Sequence, residues 1–270
     1  MSMAPWLRLI LIDLAIFFLF KWLTLRRAVR ASDKHIPLSR KLGYVFCWVG
    51  MDARAFLSPV RHEHLPQAKF WFYAWLKIAM GCLLVGVVLR HVPVGMWVIR
   101  DWTALVGLGL IVPFGVFHLI ALLWQRAGVH ARPIMDRPFW SVSLTEFWGK
   151  RWNLAVHDLM NAFAFRPLLR RWGMRGSFIA TFIISGLFHE LVLSLPAWGG
   201  FGLPTFFFAL QLAGVALERS KGGRRLGLGR GWRGRVYVWL LTITPAYAVF
   251  HPAVLHKVMY PWLQSLGLLG

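Results

Sequence analysis

The stretch SFIATFIISGLFHELVLSLP, residues 177–196, is apolar and long enough to cross a lipid bilayer as a single helix. It nevertheless carries two ionisable residues side by side, His189 and Glu190. A charged side chain at the centre of a spanning helix costs roughly 2.5–3.5 kcal/mol on insertion scales. The pair therefore indicates catalysis or transport, and the structural alternative is a buried polar pair that joins two helices.

The composition of the whole chain is that of a membrane protein. Its 270 residues are 58% hydrophobic and only 15% charged, with a mean hydropathy of +0.57. Soluble domains contain about 25% charged residues. Apolar segments fall at 5–23, 70–89, 102–124, 177–196, 201–218 and 236–255, with shorter ones at 42–58 and 258–269. We therefore predict an all-α fold, a polytopic transmembrane helical bundle of six to eight membrane helices, forming a single domain over residues 1–270.

The charge of the chain is strongly positive, +21, from 31 Lys and Arg against 10 Asp and Glu. Most of these cations lie in the segments 20–41, 54–69, 126–175 and 219–235, whereas the loops 90–101 and 197–200 hold only Arg90 and Arg100. This asymmetry predicts a multi-pass protein of the bacterial inner membrane with its basic loops in the cytoplasm. Because the cations alternate with apolar segments, we expect membrane lipids and phosphate-bearing substrates as partners, and no nucleic acid.

Neither cysteines nor the N-terminus suggest other chemistry. Cys47 and Cys82 lack ligand-type spacing, so we predict no metal site and no disulfide framework. We also expect no resident cofactor. The first apolar run is followed by Lys21 and Trp22 rather than by a small-residue cleavage site, which favours a retained helix over a signal peptide.

The longest polar segment, residues 126–175, predicts an interfacial helix in addition to the spans. Ser143 and Glu146 have capping-box spacing, so the helix should begin near Leu144 and end at about residue 165, before Pro167. Its Trp and Arg content suits a helix that lies at headgroup depth. Asn153 and His157, four residues apart, should share one face of it. The alternative is a plain interfacial anchor in which both residues are solvated.

Three elements of the sequence resemble the membrane-bound O-acyltransferase superfamily, most closely its wax synthase branch. They are GYVFCWVGMDARAF at 43–56, FWGKRWNLAVHD at 147–158 and SGLFHEL at 185–191, and they occur in the family's order over roughly residues 43–219. The resemblance implies transfer of a fatty acyl group from acyl-coenzyme A, as co-substrate, to a long-chain alcohol or a similar lipid hydroxyl.

The resemblance also implies roles for individual residues. The catalytic histidine corresponds to His189, the polar residue of the aromatic element to Asn153, and a recurrent histidine to His157; Trp152 belongs to the same element. A histidine kept neutral by apolar surroundings is suited to act as a general base. On the cytosolic side the phosphates of coenzyme A would meet the cations Lys150, Arg151, Arg166, Arg170 and Arg171.

Helical geometry separates His189 from its neighbours. Ser185 lies one turn before His189 and on the same face, so we expect it to support the site. Glu190 points about 100° away from His189 and should bind a neighbouring helix or line a tunnel. Two other functions fit the residues: O-acylation of an envelope glycan or peptide, and a proton-coupled transporter using His189 and Glu190 with Glu218 as a further relay group.

Overall fold

A computed structural model describes residues 3–33, 35–60 and 65–269. Within these residues the chain forms helices and turns and no strand, which confirms the all-α class. The basic residues Lys34 and Arg61 lie outside the described part. The chain packs into two units, one made of the chain up to Ile16 with Asp136–Trp262, the other of Phe17–Met135 with the chain from Leu263 onward. A single domain over the whole chain therefore stays a prediction.

The unit that contains Phe17–Met135 is built on two long helices. After α1 (Pro5–Arg30), whose first part belongs to the other unit, come the short helices α2 (Leu38–Phe46) and α3 (Ala53–Phe56), then α4 (Ala68–His91) and α5 (Trp97–Arg126). Helices α4 and α5 pack closely because glycines face each other at their crossing. A Cβ atom on Gly81 would lie 2.6 Å from the carbonyl oxygen of Gly107.

The first motif element, residues 43–56, is held against α1 by a buried lysine. Lys21 Nζ donates a hydrogen bond to the carbonyl oxygen of Gly50 at 2.6 Å and lies 3.8 Å from the ring centroid of Tyr44. Tyr44, in turn, hydrogen-bonds Thr24 of α1 at 2.7 Å. A buried lysine nitrogen needs such partners, since its desolvation without them is costly.

The other unit contains the second and third motif elements. Its helices are α6 (residues 144–151), α7 (Leu154–Ala197), α8 (Leu203–Arg219), α9 (Lys221–Arg225), α10 (Gly231–Val249) and α11 (Pro252–Ser265), the last of which ends in the other unit. The core of this unit is rich in aromatic rings and includes Phe147, Phe182, Phe207 and Phe208. Helices α7 and α8 approach closely at Gly186, where a Cβ atom would lie 2.9 Å from the Cα of Thr205.

Helix α7 is divided in two at Gly173. The φ and ψ of Gly173 are 63° and −175°, a combination that in practice only glycine adopts. The part before it, residues 154–172, carries exposed cations and Trp172; the part after it, residues 174–197, is the apolar segment that bears His189. The break thus separates the polar segment from the predicted span.

The interfacial helix begins at Leu144 as predicted, but its predicted continuity and its predicted end near residue 165 were wrong. The first helical stretch ends at Arg151, a new helix begins at Leu154, and it continues through Pro167 to residue 172. Ser143 does cap the first stretch, because its Oγ accepts from the N–H of Glu146 at 2.9 Å. Pro167 is tolerated because the preceding turn, Asn161–Phe165, is a wide π-helical turn, which accommodates the missing N–H.

Wide turns of this kind recur in the long helices. They occur at Leu84–Val88, Val112–Val116, Glu190–Ser194 and Leu255–Met259 as well, and several contain or closely precede a proline, namely Pro113, Pro196 and Pro261. π-helical turns are frequent at functional sites. The turn Glu190–Ser194 begins directly after His189, so the candidate base stands at the start of such a turn.

Fewer helices qualify as spans than the six to eight predicted. In the described part of the chain, three helices are long and apolar enough to cross a membrane, α4, α5 and α7, or up to four if the bent pair α10–α11 forms one span. The apolar run of α1 is interrupted by Arg8, Asp13 and Lys21, and α8 has only 17 residues. Both were counted as spans from the sequence.

Candidate active site

His189 lies half-buried in the second part of α7, with one ring nitrogen already engaged. Its Nδ1 is 2.7 Å from the carbonyl oxygen of Ser185, one turn earlier. A carbonyl oxygen can only accept, so Nδ1 carries the proton and a neutral ring presents its lone pair at Nε2. In the described part of the chain Nε2 has no hydrogen-bond partner. The ring therefore has the tautomer that a general base requires.

Two aromatic residues join His189 to the FWGKRWN element. The ring of Phe208, on α8, lies 4.6 Å from the His189 ring between centroids. Trp148, on α6, lies 5.6 Å from Phe208. Trp148 is itself fixed, because its Nε1 donates to Gln211 Oε1 at 3.3 Å and Gln211 Nε2 donates to the carbonyl of Leu241 at 2.6 Å. The second and third motif elements therefore meet through Trp148 and Phe208.

Neither Trp148, Phe208 nor Gln211 was among the residues predicted for the site. Trp148 lies inside the quoted aromatic element, and its ring type is a signal that the sequence does contain. Phe208 and Gln211 lie on a different helix, in the predicted apolar segment 201–218. Their role depends on which face of α8 meets α7, and a single sequence carries no information on that pairing.

The carboxylate of Glu190 binds the N-terminal end of α8. Its Oε1 accepts hydrogen bonds from the N–H of Gly202 at 3.0 Å, the N–H of Thr205 at 3.1 Å and the hydroxyl of Thr205 at 2.9 Å. Unpaired N–H groups and the helix dipole make such an end favourable for a carboxylate. Glu190 therefore binds a neighbouring helix, as its direction on α7 predicts, and does not orient the His189 ring directly.

Asn153 is the N-cap of α7 rather than a residue on its surface. It has φ 40° and ψ 63°, and its Oδ1 accepts from the N–H of Val156 at 3.3 Å. The prediction that Asn153 and His157 share a helical face was therefore wrong, because the helix starts only after Asn153. His157 Nδ1 lies 3.3 Å from Asp158 Oδ1, and neither Asn153 nor His157 hydrogen-bonds His189 within the described residues.

The remaining supporting residues contribute by packing and through the backbone. Trp152 stacks on Phe147 with 5.3 Å between ring centroids, so its contribution is to the aromatic packing of this unit. Ser185 is buried, and the contact it makes with His189 is through its carbonyl oxygen rather than its hydroxyl.

Among the five cations assigned to phosphate, Arg151 is committed elsewhere. Its guanidinium forms an ion pair with Glu146, with Nη2 2.6 Å and Nε 2.8 Å from Oε1. Burial alone would raise the pKa of the Glu146 carboxyl, but the N–H of Val142 and the charged Arg151 together lower it. The other four cations, Lys150, Arg166, Arg170 and Arg171, have exposed side chains. Arg151 thus serves the fold, and phosphate binding by the four remains a prediction.

Comparisons with known proteins agree with the resemblance seen in the sequence. Residues 131–210, which include Asn153, His157 and His189, match the family model described as "Membrane bound O-acyl transferase family". A long-chain-alcohol O-fatty-acyltransferase of Simmondsia chinensis is 28% identical over 171 residues, covering 53% of this chain and 47% of the relative. The probable long-chain-alcohol O-fatty-acyltransferase 9 of Arabidopsis thaliana is 33% identical over 127 residues, covering 42% and 36%.

A sterol-directed relative matches over a shorter region. The acyl-CoA–sterol O-acyltransferase 1 of Arabidopsis thaliana is 33% identical over 79 residues, covering 27% of this chain and 23% of the relative. This chain thus aligns with about half or less of the length of these relatives.

With its apolar helices of spanning length, this chain is a multi-pass membrane protein. Residues 131–210 are therefore similar to the membrane bound O-acyl transferase family, and the relatives that align with this chain include proteins named as long-chain-alcohol O-fatty-acyltransferases.

Proposed function

We propose that this protein is an O-acyltransferase that moves a fatty acyl group from acyl-coenzyme A to a long-chain alcohol. The observation that carries the proposal is His189, whose Nδ1 is bound by the Ser185 carbonyl and whose Nε2 is left to accept a proton within an apolar helix. The relatives named for long-chain alcohols support the choice of acceptor over a glycan or peptide.

In the proposed reaction the alcohol hydroxyl donates a hydrogen bond to Nε2 of His189. As its oxygen attacks the thioester carbonyl, the proton passes to Nε2 and the carbonyl oxygen gains negative charge. When the C–S bond breaks, the imidazolium returns the proton to the departing thiolate of coenzyme A. General base catalysis by a positioned histidine contributes about 10²–10⁴ in rate.

Two groups are proposed to support this chemistry. The amide of Asn153 would hold the thioester carbonyl, where a donor is most valuable as charge develops. The exposed Lys150, Arg166, Arg170 and Arg171 would bind the coenzyme A phosphates from the cytosolic side, on the basic face that we assign to the cytoplasm of a bacterial inner membrane. No metal or resident cofactor takes part in the proposed steps.

The transporter alternative receives no support from the two glutamates. Glu190 binds the N-terminal end of α8, whereas Glu218 lies at the C-terminal end and accepts from the N–H of Leu144 at 2.6 Å. Sixteen helical residues separate these ends of α8 by about 24 Å. A direct relay between the two carboxylates is therefore not geometrically favoured.

Product analysis of the purified protein tests the proposal. The protein in liposomes would receive palmitoyl-coenzyme A together with hexadecanol, a sterol or a diacylglycerol, and the lipid products would be identified by mass spectrometry. We expect a wax ester from hexadecanol as the main product. Absence of ester with all three acceptors would refute acyl transfer to lipid hydroxyls, and a sterol ester as the main product would correct the acceptor.

A further inference from the structure

A second histidine, His251, is buried and has no role in the proposed reaction; its partner Ser194 lies five residues after His189 on α7. Only 1% of the surface of His251 is exposed, and this residue lies between α10 and α11. Its Nε2 is 3.2 Å from the hydroxyl oxygen of Ser194, whose side chain is fully buried. Burying two such polar groups is costly unless they bind each other.

Ser194 is the last residue of the wide turn that begins after His189. The turn Glu190–Ser194 is π-helical, so its hydrogen bonds do not hold it in the ordinary α-helical register. At its start, the carboxylate of Glu190 binds Gly202 and Thr205 of α8. At its end, Ser194 binds His251. The turn is therefore fixed at both ends by contacts with residues outside α7.

This arrangement bears directly on the His189 ring. Thr205, which Glu190 binds, lies one turn before Phe208 on α8, and the Phe208 ring packs on His189 at 4.6 Å. A shift of the wide turn would move His189 relative to Phe208 and to any acceptor at Nε2. Small displacements of this kind have large kinetic effects, since about 1 Å of misplacement can cost about a hundredfold in rate.

The loop between α7 and α8 packs against the other side of His251. Gly200 has φ 72°, and a Cβ atom on it would overlap Nδ1 and Cε1 of the His251 ring. Lys257 Nζ also donates to the carbonyl of Trp198 in this loop, at 3.4 Å. The Nδ1 atom of His251 is buried and has no hydrogen-bond partner in the described part of the chain. The ring is thus held between Ser194 and the backbone of Gly200.

We propose that His251 is a positioning residue for acyl transfer, which acts through Ser194 to hold the turn Glu190–Ser194 and thereby the ring of His189. It does not touch the reacting atoms, and its effect is on the rate of the chemical step rather than on substrate binding. This inference rests on the function proposed above.

Kinetics of three variants test the inference. His251→Phe keeps a ring but loses the hydrogen bond, Ser194→Ala removes the partner, and the double variant removes both. We expect each single change to lower kcat about tenfold with KM for both substrates nearly unchanged. Ser194 also hydrogen-bonds the side chain of Glu190, so Ser194→Ala removes that contact together with the bond to His251. The double variant should therefore be no worse than Ser194→Ala alone, because that variant has already lost the bond to His251. His251→Gln, which can still accept from Ser194, should recover part of the rate.

Thr242→Val is the matched control. Its hydroxyl is also buried, but it donates to the carbonyl of Val238 within its own helix. Turnover is expressed per folded, monodisperse protein, so that loss of fold does not count as loss of rate. Additive effects of the two single changes, or kcat values within twofold of the Thr242→Val control, would overturn the inference.

A readout independent of turnover separates this inference from the proposed function. Diethyl pyrocarbonate acylates neutral imidazole, and mass spectrometry of the peptide containing His189 reports its rate of modification. We expect diethyl pyrocarbonate to modify His189 faster in His251→Phe and in Ser194→Ala than in wild type, because each change loosens the turn Glu190–Ser194. An unchanged rate in both variants contradicts the positioning role, whereas faster modification in a protein that makes no ester supports the positioning role and refutes the acyl transfer.

Discussion

The lone pair of His189 is available because the residue one turn earlier offers only an acceptor. The Ser185 carbonyl fixes the Nδ1 proton, and the Phe208 ring limits how the imidazole turns. The same pattern, in which the second ring nitrogen decides the role of the first, orients histidines in many active sites. The tautomer of the ring and its orientation are therefore set by backbone and aromatic contacts, and no hydrogen bond joins the ring to its neighbour Glu190 in the described part of the chain.

Asn153 has a left-handed backbone conformation, and its side chain caps α7 and is proposed to hold the thioester carbonyl. Its φ of 40° favours glycine or asparagine, and its Oδ1 caps the helix at Val156. We expect Asn153→Gly to leave the unfolding temperature within a few degrees of wild type, because the cost of glycine at an N-cap is only a few tenths of a kcal/mol. Asn153→Ala should cost about 1–2 kcal/mol more, since alanine neither caps nor adopts this φ easily.

Activity of the same two variants tests the catalytic use of the amide. If the Asn153 amide stabilises the developing oxyanion, Asn153→Gly should lose about 10²–10³ in kcat while remaining folded. Thermal unfolding and ester formation would be measured on the same preparations. A glycine variant that is both stable and fully active would restrict Asn153 to a capping role.

At the scale of elements, acidic side chains fix the short helix α6 from two directions. Glu146 accepts from the N–H of Val142 at 2.9 Å and pairs with Arg151, while Glu218 of α8 accepts from the N–H of Leu144 and the hydroxyl of Thr145. These contacts hold the segment that carries Trp148. Charge-assisted hydrogen bonds of this kind are stronger than neutral ones.

The ion pair of Glu146 makes a prediction about acid stability. The fold lowers the pKa of Glu146 below its ordinary value of about 4.3, so the stability it contributes is present above that value and is lost as the pH falls through the lowered pKa. The difference in unfolding temperature between wild type and Glu146→Gln should therefore be constant from pH 7 to about pH 5 and shrink below it. Thermal unfolding of wild type and Glu146→Gln at a series of pH values from 7 down to 4 measures this difference in unfolding temperature.

Asp136→Asn is the control for acid stability. The Asp136 side chain is 52% exposed and makes one long contact with Arg137, so its replacement should change the unfolding temperature little at any pH. A difference between wild type and Glu146→Gln that stays the same down to pH 4 would show that the ion pair does not contribute in the expected way.

The break at Gly173 is the second feature at this scale that can be tested. Gly173→Ala forces a residue with a Cβ into φ 63° and ψ −175°, which should cost about 1–3 kcal/mol. The substitution would also favour a continuous helix and so move the cations of residues 166–171 relative to the span. We expect a lower unfolding temperature and a higher KM for acyl-coenzyme A.

Gly109→Ala provides the comparison for Gly173→Ala. Gly109 lies within helix α5, and a Cβ atom there meets no heavy atom within 4 Å. Alanine at such a site should be neutral or stabilising by up to about 1 kcal/mol. Equal effects of the two substitutions on stability would contradict the role assigned to the break.

At the scale of the whole molecule, hydropathy predicted where the long apolar helices lie but did not predict where the helices end or break. The segments 70–89, 102–124 and 177–196 correspond to α4, α5 and the second part of α7. The end at Arg151, the N-cap at Asn153 and the break at Gly173 were not predicted, because isolated asparagines and glycines do not mark such breaks unambiguously. Proline positions were equally ambiguous, since wide turns allow helices to continue through them.

The sequence allowed candidate residues to be chosen by their chemistry, but it did not predict which residues the fold brings together. The chemical types of His189 and Asn153 suggested their roles, and the helical angle between adjacent residues correctly turned Glu190 toward another helix. The contacts of Phe208, Gln211 and His251 join segments that are distant in the sequence. Such contacts follow from packing between helices, which composition and periodicity do not determine.

The central claim is that His189 is the base of acyl transfer to an alcohol, and its most direct test is ester formation by His189→Ala. Wild type, His189→Ala and the exposed-histidine control His91→Ala would be compared in liposomes with saturating palmitoyl-coenzyme A and hexadecanol. We predict that His189→Ala loses at least about a hundredfold in rate while remaining folded, and that His91→Ala matches wild type. A folded His189→Ala protein that forms ester within tenfold of the wild-type rate would contradict the claim.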